Sequence, residues 1–129
     1  MNKIPPQLRL KIASDPYYRQ CARKCALNDH ECKEDERTGK LIEWEHALIF
    51  AGRQIQEKWA IVPICWWAHR GPGLVKEINE WLALNRATDE ELLKYSKAIN
   101  LTAKRDYLNT KYGTGSRNTK YNTGILEIS

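Results

Sequence analysis

The chain contains no apolar run approaching the roughly 18 to 20 residues that a membrane-spanning helix requires. No transmembrane segment is therefore expected. Its polar start, Met1-Asn2-Lys3-Ile4-Pro5-Pro6, lacks the apolar stretch of a signal peptide, so a cytoplasmic protein is expected. At 129 residues the chain is too short for a barrel enzyme or a two-domain dinucleotide fold. It suffices for one domain that buries about two thirds of the surface an unfolded chain exposes. No internal repeat is visible. Cysteine is sparse, at four residues, but three of these, Cys21, Cys25 and Cys32, are clustered, with Cys65 further on. In a reducing compartment such a set points to metal binding before disulfides.

Lys and Arg number 21 against 16 Asp and Glu, a net charge of +5. The excess lies at the two ends: residues 1–25 hold six bases and one acid, and residues 100–129 hold five bases and two acids. Residues 26–45 reverse the sign, with seven acids and three bases. Basic termini favour an anionic partner such as nucleic acid, reached mainly through phosphate contacts.

After Pro5-Pro6, Leu8, Leu10 and Ile12 form a short apolar set, one or two helical turns or a docked strand, ending near Ser14-Asp15-Pro16. Residues 21–40 have no periodic apolar face, so their order must come from a metal or from packing under other elements. Two β-rich runs, Leu41 to Phe50 and Trp59 to Ile64, flank a loop containing Gly52 and predict a hairpin. Beyond Gly71-Pro72-Gly73, residues Leu74, Val75, Ile78, Trp81, Leu82 and Leu84 recur at helical spacing. Thr88-Asp89-Glu90-Glu91 is a capping box that starts another helix, with Leu92, Leu93, Tyr95, Ala98, Ile99 and Leu101 extending its stripe. Residues 103–112 either continue this helix or form a further basic one. From Gly113 on a flexible tail is expected, with Ile125, Leu126 and Ile128 as a docking strand.

Glu45-His46 lies in the first β run, Cys65 ends the second, and His69 follows four residues later. An acid and two histidines at one end of a hairpin can supply a divalent-metal ligand set and a general base. On an ideal strand Glu45 and His46 face opposite sides, so a shared site requires a bend. Together with Trp59-Ala60-Ile61-Val62-Pro63-Ile64-Cys65-Trp66-Trp67-Ala68-His69, the pair resembles the HNH, or ββα-metal, endonuclease signature. There an acid-His pair precedes Asn-Leu-x-x-Leu-Cys-x-x-Cys-His, often with a cysteine pair upstream. The stretch is also similar to small HNH proteins carried by bacteriophages.

The resemblance covers roughly residues 21 to 70. It implies a hairpin-plus-helix core at about 41–71 and a cysteine region at 21–40; with the helices over 74–112 and the short N-terminal arm, which lie outside it, an α+β fold is expected. Residues 1–112 would form one domain. It implies His46 as general base and Glu45 and His69 as metal ligands, the latter at the start of a helix. Cys65 falls on the third zinc cysteine, and Cys21 and Cys25 fall near the first pair. Ala60 replaces the Asn that braces the loop carrying the base, and Ala68 replaces the fourth zinc cysteine. Cys32 or His30 can complete a quartet, and the expected set is Cys21, Cys25, Cys32 and Cys65 around a structural Zn²⁺. The other outcome is a lost zinc and buried thiols.

The function so implied is hydrolysis of DNA phosphodiester bonds with one divalent cation, Mg²⁺ or Mn²⁺, with Ni²⁺ and Zn²⁺ also tolerated by a histidine ligand. Arg53 in the hairpin loop and Arg70 beside His69 are candidate phosphate clamps, since a guanidinium pairs bidentately with phosphate oxygens. The alternative is a scaffold that has lost catalysis and binds DNA or inhibits a protein partner. Trp66-Trp67 reads as packing surface before a base-stacking platform.

Overall fold

The computed structural model describes residues 4–50, 52–96 and 100–113. The expected positions Ala98, Ile99, Ile125, Leu126 and Ile128 lie outside the described residues. The architecture is α+β: among the described residues six helices, α1 (Pro6–Ala13), α2 (Ala22–Leu27), α3 (Trp66–His69), α4 (Lys76–Leu84), α5 (Asp89–Lys94) and α6 (Leu101–Tyr112), accompany short antiparallel strands β1 (Ile42–His46), β2 (Ile49–Phe50), β3 (Arg53–Gln54) and β4 (Ile61–Cys65). No helix among the described residues is long and apolar enough to cross a membrane.

The apolar set after Pro5 is helical. Pro6 occupies the first turn of α1, where its missing N–H is no loss, and only Ile12 of α1 is fully buried while Leu10 stays exposed. Asp15 then caps a 3₁₀ turn, Pro16–Arg19, by accepting from the Tyr17 amide at 3.0 Å, which buries Tyr17 and Tyr18.

The predicted hairpin has two tiers. β1 pairs with β4 in the register Ile42↔Cys65 to His46↔Ile61, and beyond it the chain forms the smaller β2–β3 hairpin. Its turn is made by Gly52, whose φ of +77° a side chain would disfavour. The first apolar run therefore breaks after His46 instead of continuing as one strand to Phe50. β4 is buried throughout, whereas β1 is half-buried, so β4 forms the floor of the core. Pro63 is tolerated in β4 because both members of a two-stranded sheet are edges.

The C-terminal pattern divides into three helices. Ile78, Trp81, Leu82 and Leu84 are buried along α4, while Leu74 and Val75 precede the helix and remain exposed. The Thr88–Glu91 capping box is present in both directions, 3.1 Å and 2.8 Å, at the start of α5. Its stripe is narrower than expected: Leu92 is buried and Leu93 exposed. α6 is separate from α5 and is capped by Asn100, which accepts from the Ala103 amide. Its Asn109 accepts from Trp81 Nε1 at 2.9 Å, locking α6 to α4.

Candidate metal centre and hairpin site

Cys21 is the N-cap of α2 and Cys65 is the N-cap of α3, so two helix starts present buried thiols to one point. Asn28 ends α2 in the left-handed region, with φ 49°, and turns the chain back so that His30 and Cys32 reach the same point. One ligand atom from each of Cys21, His30, Cys32 and Cys65 lies within 4.8 Å of the others, and this group can hold a metal ion. His30 Nε2 stands 3.8 Å from Cys21 Sγ, 3.7 Å from Cys32 Sγ and 3.3 Å from Cys65 Sγ. A tetrahedral ion at about 2.3 Å from sulfur and 2.0 to 2.1 Å from nitrogen has S···N edges of about 3.6 Å, so the donor set fits such an ion.

His30, not Cys25, fills the fourth corner. Cys25 lies one turn into α2, where its thiol donates to Gln20 Oε1 at 3.2 Å, outside the group. The expected quartet is thereby corrected by one residue: Cys21 sits in extended conformation before the helix, so the i, i+4 spacing does not place Cys25 beside it. The surroundings orient His30 as a ligand. Its Nδ1 faces Asp29 Oδ1 at 2.7 Å, and Arg23 holds the other Asp29 oxygen from Nε and Nη2 at 3.1 and 2.9 Å. The imidazole stacks on Trp67, centroids 4.4 Å apart, and Arg23 covers that same indole. Trp67 is thus packing for the cluster. Burial pushes the Cys65 thiol up, but hydrogen bonds from the backbone near Lys33 and Ala68 and from His30 outweigh it and bring it down to about 7. Burial and the neighbouring thiols raise Cys21 and Cys32.

A second cluster lies on the hairpin. Alternation along β1 puts Glu43 and Glu45 on one face, toward α3, and Trp44 and His46 on the other. His69, the last residue of α3 and not the first, inserts between the carboxylates: Nε2 is 2.7 Å from Glu45 Oε1, and Nδ1 bonds Glu43 Oε1. Carboxylate oxygens facing both ring nitrogens favour the doubly protonated, positively charged ring. Burial opposes that charge, yet the hydrogen bonds and charges of Glu45 and Glu43 outweigh it and raise the His69 pKa above its usual value. Cis ligands at 2.0 to 2.1 Å from an octahedral ion are about 3 Å apart, so the Glu45–His69 pair fits a hard divalent cation once Nε2 gives up its proton.

The structure thus brings Glu45 and His69 together and leaves His46 out of their contact. With β1 regular through His46 no bend turns that ring around, and His46 Nε2 meets Gln56 Oε1 at 2.8 Å. The loop between β1 and β4 is tied by backbone bonds, Ala47 N to Ala60 O at 3.0 Å and Ile55 N to Leu48 O at 3.1 Å. Ala60 and Ala68 are both fully buried. Arg53 is exposed on β3. Arg70 caps α3 with Nε 3.4 Å from Glu43 Oε1, and it lines an open cleft of about 580 Å³ with Arg9, Arg37, Lys40, Glu43 and His69. Glu43, Gln56 and Asp29 were not singled out from sequence. Glu43 had a signal, the strand alternation Glu43-Trp44-Glu45, while Gln56 and Asp29 had none.

What fold and sites define is a small α+β protein with a metal-competent Cys₃His cluster and a carboxylate–histidine group on one hairpin-helix unit. No protein-family model, curated protein or solved structure matches this chain.

Proposed function

We propose that the chain is a metal-dependent HNH-type endonuclease, of phage type, that hydrolyses DNA phosphodiester bonds, with a structural Zn²⁺ bound by Cys21, His30, Cys32 and Cys65. The observation that carries this reading is the 2.7 Å approach of His69 Nε2 to Glu45 Oε1, the two metal-ligand positions of the resemblance, contributed by different elements. Glu45 and His69 would hold a hard cation, which would supply Lewis-acid stabilisation of the charge that develops on the phosphate and leaving oxygens. With Nε2 of His46 engaged by Gln56 Oε1, Nδ1 is the ring nitrogen left to serve as general base. Arg70, with Arg9, Arg37 and Lys40 in the same cleft, supplies cations for the DNA backbone. Zinc in the Cys₃His group would fix Cys65 and with it the start of the four-residue helix ending in His69.

One observation favours a second reading, a scaffold that binds DNA or a protein partner without cutting: His46 faces away from Glu45 on a regular strand. Incubation of supercoiled plasmid with the protein and Mg²⁺ or Mn²⁺ separates the two. The nuclease converts plasmid to the nicked form, and the Glu45→Ala and His69→Ala variants do not. Absence of nicking by the wild type with any common divalent ion would leave only the binding reading.

A further inference from the structure

Resting on the reading of Glu45 and His69 as the metal pair, we propose that Glu43 is the positioning residue of that pair: its carboxylate holds Nδ1–H of His69 and so turns Nε2 toward Glu45 and a divalent cation. The bonds belong to opposite ends of one ring. Nδ1 bonds Glu43 and Nε2 stands 2.7 Å from Glu45. Glu43 pairs across the sheet with Ile64 and Glu45 with Val62, two positions apart on one face, so the sheet itself sets the spacing that brackets an imidazole. Metal-bound histidines generally give their other N–H to a carboxylate or carbonyl, which fixes tautomer and ring orientation.

The two carboxylates are not equivalent. The Glu43 oxygen that bonds His69 is also 3.4 Å from Arg70 Nε, and its side chain is 10% exposed, against 18% for Glu45. An ion on the Glu43 side would sit beside a guanidinium and compete for an oxygen already shared by two donors. Among the described ion pairs, Glu45 has His69 alone as partner. The cation therefore belongs on the Nε2 side, with Glu43 and Arg70 behind the ring.

The full chain, as wild type, Glu43→Ala and Glu43→Gln, is titrated with Mn²⁺ while free Mn²⁺ is followed by electron paramagnetic resonance. Loss of such an outer carboxylate lowers affinity about 10- to 100-fold, so Glu43→Ala binds that much more weakly. Glu43→Gln, whose amide oxygen still accepts from Nδ1–H, recovers most of the loss. Nitrogen NMR of the wild type saturated with Mg²⁺ shows His69 protonated at Nδ1 and not at Nε2. A folded Glu43→Ala protein that binds Mn²⁺ as the wild type does overturns the role of Glu43 and leaves the metal pair standing. An Mg²⁺-bound wild type protonated at Nε2 instead overturns it whether or not the alanine variant folds. A wild type that binds neither ion removes the metal pair, and the role of Glu43 with it.

Discussion

At the scale of single residues, the chemistry is concentrated in side chains whose neighbours decide what they can do. His30 points Nε2 at the three thiols because Asp29 takes its Nδ1 and Arg23 holds Asp29. Asp29→Asn should lower zinc affinity about 10- to 100-fold, measured by competition with a chromogenic chelator, whereas Cys25→Ser should leave it unchanged. His30 was one of two residues weighed for the fourth corner, but the sequence could not decide between it and the Cys25-containing set. The choice depends on the left-handed turn at Asn28, a backbone event with no periodic pattern behind it. Asp15 illustrates an ordinary charge effect. Burial opposes its ionisation, but Lys58 at 2.9 Å and the Tyr17 amide outweigh this and lower its pKa. A lowered carboxylate contributes stability that is present above its unfolded value of about 3.9 and is lost as pH falls through the folded value. Asp15→Asn should cost about 1 kcal/mol at pH 7 by urea unfolding, and the gap from wild type should close in acid.

At the scale of elements, the short helix α3 joins both sites: Cys65 caps its start and His69 ends it. The chain leaving α3 must pass close under Trp67. A Cβ on Gly73 would lie 2.3 Å from the indole, and Gly73 O accepts from Arg23. Gly73→Ala should therefore destabilise the protein by about 1 to 3 kcal/mol in thermal unfolding, and should loosen the Trp67–His30 stack and weaken zinc binding with it. Elements with strong local signals were legible: the capping box of α5, the stripe of α4 and the β1–β4 pairing. The two-tier hairpin was less so. Leu48 is buried and Ile49 exposed beyond the point where β1 ends, so the apolar run continues through a change of partner that composition does not mark. The order of residues 21–40, by contrast, follows the expectation that they need packing or a metal: Trp66 N bonds Lys33 O at 3.0 Å, and Asp35 is buried in a turn closed by Gly39.

At the scale of the whole molecule, a +5 chain gathers Arg9, Arg37, Lys40 and Arg70 around one cleft beside His69. On the nuclease reading, DNA affinity should fall steeply between low and physiological salt, and replacing one of these cations should flatten the slope of log K against log salt by about one. The acidic segment, residues 26–45, contributes Arg37 and Lys40 to that cleft and His30 and Cys32 to the cluster, so its net charge concealed its use. The most direct test of the nuclease reading is the single-turnover rate of plasmid nicking at saturating Mn²⁺ by the wild type and by His46→Ala. Removal of the general base should slow nicking about 10²- to 10⁴-fold while Mn²⁺ affinity is retained. Equal rates for the two proteins, or no nicking by either, would contradict it.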